Sequence, residues 1–197
     1  MFFEQMQREG CQSYLIGCAD TCGAIMVDPE SSQTERYLAL AARSGLRIHY
    51  VLDTHTHADH FSGSQNLARK LGVPVIMHRK SAAPFVDLRV DDGESIIVGQ
   101  LRLRVMYTPG HTEDSMCLVL PDRVLTGDTL LIGATGRTDL PTGRTGEDQS
   151  ARRWRHWAFL EPPRGEGCPN QGRRPGNSGP VSRPIRTKKS LRRERQV

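Results

Sequence analysis

No apolar run in this 197-residue chain approaches the length needed to cross a bilayer, so no membrane partner is expected. The opening residues Met1-Phe2-Phe3-Glu4-Gln5 lack a basic stretch followed by an apolar one, and no secretory leader is expected. Cysteine is sparse. The five residues Cys11, Cys18, Cys22, Cys117 and Cys168 are odd in number and do not form a disulfide-scaffold pattern. Cys18 and Cys22 have no second cysteine pair that would complete a zinc ribbon. Reduced thiols in a cytoplasmic setting are the expectation. Positive charge is missing from most of the chain. Residues 1–146 hold 14 Lys+Arg against 17 Asp+Glu, a net of −3, whereas residues 147–197 hold 13 against 5, a net of +8. The overall +5 therefore belongs to the tail. That tail also lacks apolar periodicity, apart from residues 154–160, and carries 11 Arg, 6 Pro and 5 Gly. Such a composition does not bury enough apolar surface to offset chain entropy, so disorder is predicted over 147–197 and one domain over 1–146.

Within 1–146 the pattern is that of a layered α/β domain. Residues 12–18 and 23–27 read as two strands joined by a Gly-containing turn. Ser32-Gln33-Thr34-Glu35 has capping-box spacing and predicts a helix to about Arg43, with Tyr37, Leu38, Ala41 and Ala42 on its apolar face and Gly45 as its stop. Ile48 to Leu52 reads as a buried strand. A second helix is predicted from Ser62–Ser64 to Lys70, with Leu67 inward and Gly72 closing it. Short strands follow at Val73 to Met77, Glu94 to Val98, Leu101 to Tyr107, Met116 to Leu120 and Arg123 to Thr126, with a loop over Arg79 to Asp87.

The chemistry concentrates at strand ends. Asp53-Thr54-His55-Thr56-His57-Ala58-Asp59-His60 leaves the third strand with three histidines and a carboxylate in six positions, and these are ligands that Zn, Fe and Mn accept. Thr108-Pro109-Gly110-His111 and Thr126-Gly127-Asp128 also follow strands. Two arrangements fit the residue types. His55, His111 and Asp128 can face a single Fe(II) and leave positions open. Alternatively His55, His57 and His111 hold one zinc, with Asp59, His60 and a bridging Asp128 holding another, and water is activated against a carbonyl. Arg137 can clamp a substrate carboxylate with Asp139 orienting it, or the two form a surface pair in a turn. Asp28, in Val27-Asp28-Pro29, either supports the ligands or turns the chain into the helix.

The chain resembles the metallo-β-lactamase superfamily in His55-Thr56-His57-Ala58-Asp59-His60, Val27-Asp28-Pro29, Thr108-Pro109-Gly110-His111-Thr112 and Thr126-Gly127-Asp128, in that order. Within it, Leu52 to His55, Asp59 to Gly63 and Gly127 to Gly133 running into Gly136-Arg137-Thr138-Asp139 are most similar to the persulfide dioxygenases. The resemblance implies an αββα sandwich. It implies one Fe(II) per chain at His55, His111 and Asp128, with Zn(II) as the alternative metal. It also implies conversion of glutathione persulfide, O2 and water to sulfite and glutathione. His57, Asp59 and His60 then support the ligands, and Arg137 lies near the glutathione. A zinc thiolester hydrolase resembling glyoxalase II is the alternative enzyme. A homodimer is an expected assembly. Nucleic acid is the less favoured partner, suggested only by tail arginines with Trp154 and Trp157. Residues 147–197 do not carry the later Gly-His loop of this family, and His156 is a poor substitute. A reading-frame change in a GC-rich gene is the expected origin of the tail. The second half of the sandwich is therefore expected to be incomplete, with apolar sheet surface exposed and low stability.

Overall fold

The computed structural model describes residues 1–8, 11–57 and 61–140. Two sheets face each other. The first has six strands in chain order: β1 (Phe2–Arg8), β2 (Cys11–Gly17), β3 (Gly23–Val27), β4 (Arg47–Leu52), β5 (Val75–His78) and β6 (Leu88–Val90). β1 to β3 are antiparallel, and β3 to β6 run parallel. The second sheet has the order β10-β9-β8-β7, from β7 (Ser95–Val98), β8 (Leu101–Tyr107), β9 (Met116–Val119) and β10 (Val124–Leu125), all antiparallel.

The burial patterns follow from these positions. Every residue of β3 is buried, because a parallel strand inside a covered sheet meets protein on both faces. One face of the first sheet carries Ile16, Ile25, Val27, Leu52 and Ile76. These pack on Ile96, Val98, Leu103, Val105 and Leu118 of the second sheet. The other face, with Leu15, Met26, Val51 and Val75, is covered by α1 (Thr34–Arg43) and α2 (Ser64–Leu71). β8 alternates as its sequence predicts, with Leu103 and Val105 buried and Arg102 and Arg104 exposed. This gives helix, sheet and sheet layers. The outer helical layer of an αββα order is not among the described residues.

Several expectations are corrected. The first sheet is not left bare, because β7 to β10 close its inner face, where Ile25 and Leu52 are at 0% exposure. Ser32 does not cap the first helix. A short 3-10 turn, Ser31–Gln33, precedes it, and the Glu30 carboxylate accepts from the Ser32 N–H instead. The buried face of α1 is Tyr37, Leu40 and Ala41, while Ala42 is exposed. Tyr37, Leu40 and Ala41 stand at i, i+3 and i+4 and so share one helical face, which Ala42 does not. β1 and β6 are additional strands. β1 holds one buried side chain, Met6, and its order comes from pairing with β2 along its whole length. The terminators Gly45 (φ +65°) and Gly72 (φ +67°) adopt the left-handed backbone that ends each helix. The predicted boundary at 146 and the tail 147–197 lie outside the described residues.

Candidate metal centre

The loop after β4 begins with a backbone anchor. Asp28, at the end of the neighbouring strand β3, turns with φ +48°. Its carboxylate accepts from the Thr54 N–H at 2.6 Å and the Thr54 hydroxyl at 2.8 Å. This chain of bonds sets the tautomer of His55. Its Nδ1 lies 3.0 Å from Thr54 Oγ1, and the proton of that hydroxyl is already given to Asp28. His55 Nδ1 must therefore carry its own proton, which leaves a lone pair on Nε2. Burial and then the nearby His57 charge lower the His55 pKa to about 4, so the ring is neutral near pH 7.

His111 is pinned in the same way from another loop. Its Nδ1 lies 2.8 Å from the Arg137 carbonyl oxygen, which only accepts. Nδ1 therefore carries a proton, which leaves Nε2 as the nitrogen that can ligate. The Nε2 atoms of both histidines are buried and lack a hydrogen-bond partner. Asp128 completes the group, with Oδ2 3.4 Å from His111 Nε2. The ligand atoms of His55, His111 and Asp128 all lie within 4.8 Å of one another. Two buried imidazoles whose Nε2 atoms converge with one carboxylate are a donor set that fits a divalent transition metal. The Asp128 side chain is 34% exposed, so the group opens to solvent on its side.

Glycines allow this convergence. Gly127 has φ +46°, and a Cβ there would stand 2.5 Å from Thr54 Oγ1. A Cβ on Gly136 would overlap the Asp128 carbonyl oxygen and lie 3.0 Å from His111 Nδ1. The two ligand-bearing turns are also tied directly, by Thr108 Oγ1 and Thr129 Oγ1 at 2.8 Å. The three predicted strand ends thus meet, but they belong to both sheets: β4 from the first, β8 and β10 from the second.

His57 is not in this group. Its Nε2 lies 3.4 Å from Asp28 Oδ1 and 3.7 Å from Asp53 Oδ1. Burial opposes its protonation, but the two carboxylates outweigh this and hold its pKa well above 6.5. Asp28, Asp53 and His57 form a second set with converging ligand atoms. Its carboxylates are already engaged, however. Asp28 holds Thr54, and Asp53 accepts from the Ser62 hydroxyl at 2.9 Å and the Ser64 hydroxyl at 2.5 Å. Asp28 also joins this set to the other, since the carboxylate beside His57 is the one that holds Thr54 next to His55. Asp59 and His60 lie outside the described residues.

Arg137 enters the centre by its carbonyl. Its side chain is 68% exposed and pairs with Asp139 at 3.5 Å, the geometry of a surface pair in a turn. Residue-by-residue reading assigned no site role to Asp53, Ser62, Ser64 or Asp114. Ser62 and Ser64 were legible only as a helix start, and nothing local marks Asp114 as a partner of Thr56. His78 stands apart, buried and stacked on Tyr107 with ring centroids 4.2 Å apart.

The human mitochondrial persulfide dioxygenase ETHE1 is 39% identical over 134 residues, covering 66% of this chain and 52% of its own length. The hydroxyacylglutathione hydrolase of Anaeromyxobacter dehalogenans is 39% identical over 137 residues, covering 69% of this chain and 52% of its own. The chain thus spans about half the length of the curated relatives it matches. The crystal structure of ETHE1 from Myxococcus xanthus superposes with a TM-score of 0.71 at 38% identity, covering 73% of this chain and 64% of that one. Among the described residues no helix is long and apolar enough to cross a membrane. The family description "Metallo-beta-lactamase superfamily" matches residues 6–160, a span that holds every element building the centre, and the chain belongs to that superfamily.

Proposed function

We propose that the chain is a persulfide dioxygenase holding one Fe(II) at His55, His111 and Asp128, acting on glutathione persulfide with O2 and water to give sulfite and glutathione. The carrying observation is the convergence of the two histidines on Asp128. Both present buried Nε2 atoms beside that one carboxylate, while His57 lies beside Asp28 and Asp53. Two histidines and one carboxylate leave positions open, as a non-haem iron oxygenase requires. When bound, iron would supply coordination for the persulfide and O2 and a route for electrons between them. The protein's part is orientation. Thr54 and the Arg137 carbonyl fix the rings, Asp28 holds Thr54, and Asp128 faces the open side. In this reading the exposed Arg137 guanidinium meets a carboxylate of glutathione at the rim. A cytoplasmic location goes with this reading.

A zinc thiolester hydrolase is the second reading, favoured by the 39% identity to a hydroxyacylglutathione hydrolase. Metal content after anaerobic purification separates the two: the first expects one iron per chain, the second two zincs. Oxygen uptake on adding glutathione persulfide to iron-loaded chain is the direct assay. Uptake no faster than with the His111→Ala variant, together with thiolester cleavage by the zinc-loaded chain, would overturn the dioxygenase reading.

A further inference from the structure

The two loops that carry the histidines are cross-linked by a side chain that touches neither histidine. Asp114 is buried, at 4% exposure. Its Oδ1 accepts from the Thr56 N–H at 3.1 Å and from the Thr112 hydroxyl at 2.6 Å. Its Oδ2 accepts from the Thr56 hydroxyl at 2.6 Å. Thr56 follows His55, and Thr112 follows His111. One carboxylate therefore binds the residue after each of the two imidazoles, across 58 positions of sequence. The bonds that set the individual rings, from Thr54 and the Arg137 carbonyl, orient each histidine within its own neighbourhood. The Met116 N–H to Thr54 carbonyl bond, 2.9 Å, joins the sheets one residue before His55, but reaches no residue beside His111. The Asp114 contacts act on the separation of the two loops.

We propose that Asp114 is a positioning residue that sets the distance between the Nε2 atoms of His55 and His111, and so the affinity and geometry of the metal held there. The proposal rests on the metal reading given above and deepens it. A carboxylate suits the task. Its two oxygens offer about four acceptor sites, so it takes three donors from two loops with little strain. Bonds to an ionised acceptor are also shorter and stronger than neutral ones. Removing it leaves the Thr56 N–H, the Thr56 hydroxyl and the Thr112 hydroxyl to find other partners. The His55 and His111 rings, whose centroids are 5.0 Å apart at 80°, then lose the tie that spans their loops.

The test uses the full chain loaded with Co(II), whose visible absorption reports ligand geometry, and measures affinity by chelator competition. Asp114→Ala is expected to weaken Co(II) binding about 10-fold, the low end of the range for losing a group bonded directly to a ligand, and to change the visible band. Asp114→Asn keeps an acceptor oxygen for Thr112 and the Thr56 N–H. Its amide can donate to the Thr56 hydroxyl, so a loss of only a few-fold is expected. Thr56→Val, at an exposed position, removes one of the three bonds without threatening the fold and should fall between the unsubstituted chain and Asp114→Ala. A lower melting temperature with unchanged affinity and an unchanged Co(II) band in Thr56→Val and Asp114→Ala overturns the proposal, because it shows a structural role alone. If Asp114→Ala does not fold, an unaltered Thr56→Val spectrum and affinity overturn it. Failure of the unsubstituted chain to bind Co(II), Fe(II) or Zn(II) overturns the metal reading itself, and the positioning role with it.

Discussion

Gly136→Ala places one methyl group against two of the three proposed ligands. Gly136 sits in an ordinary backbone region, so the cost is purely steric. The added Cβ overlaps the Asp128 carbonyl oxygen and stands 3.0 Å from His111 Nδ1. Both neighbours resist displacement. The Asp128 carbonyl accepts the Gly136 N–H at 2.9 Å, and His111 Nδ1 is held by the next residue's carbonyl at 2.8 Å. Overpacking costs about 1–3 kcal/mol. Loss of the Gly136 hydrogen bond adds about 0.5–1.5 kcal/mol, for a total of about 1.5–4.5 kcal/mol in the metal-free chain. Moving the Arg137 carbonyl away from His111 removes an outer partner of a ligand, worth about 10–100-fold in metal affinity. Gly133→Ala is the control in the same segment. There φ is +77° and nothing lies within 4 Å, so only left-handed strain of about 1–2 kcal/mol is expected, with metal affinity unchanged. Urea unfolding of the metal-free chains and chelator competition with Co(II) measure both quantities. Gly136→Ala binding metal as tightly as the unsubstituted chain, or no more weakly than Gly133→Ala, would refute the close approach on which the centre is built.

Leu103→Ala should lower the unfolding free energy by about 2–5 kcal/mol, because Leu103 is fully buried between the two sheets. A change below about 1 kcal/mol in urea unfolding would mean that the second sheet does not pack on the first. The Asp114 carboxyl should give a pH dependence. Burial opposes its ionisation, but the Thr112 and Thr56 bonds outweigh that and hold its pKa below the ordinary 3.8. A depressed carboxylate stabilises the fold above its unfolded pKa, and the gain is lost as pH falls from about 3.8 through the folded value. Urea midpoints of the metal-free chain should therefore drop more steeply below about pH 4 than those of Asp114→Asn, and parallel curves for the two would contradict this.

The candidate ligands His55, His111 and Asp128 stand out in the sequence because their signal is local. A histidine-rich loop after an apolar strand, a Pro-Gly turn before His111 and a Gly before Asp128 each announce themselves within a few positions. The helix stops at Gly45 and Gly72 were legible for the same reason. β1 was not, since six of its seven residues are not buried and only pairing with β2 orders it. The cap of α1 differs because Glu30, two residues earlier, accepts both the N–H and the hydroxyl of Ser32, which engages the groups a capping box would use.

Sequence alone determined which side chains can bind a metal, and that strand ends carry them. Tertiary structure decided their division of labour. His55 and His57 have the same chemistry and stand two positions apart, yet burial pushes the pKa of one down to about 4 while Asp28 and Asp53 push that of the other up. The difference comes from a carboxylate on another strand, whose bonds to Thr54 span 26 positions. Asp114 makes the same point over 58 positions. A local pattern fixes donor type and spacing, but protonation and separation depend on which distant groups the packed sheets bring into contact.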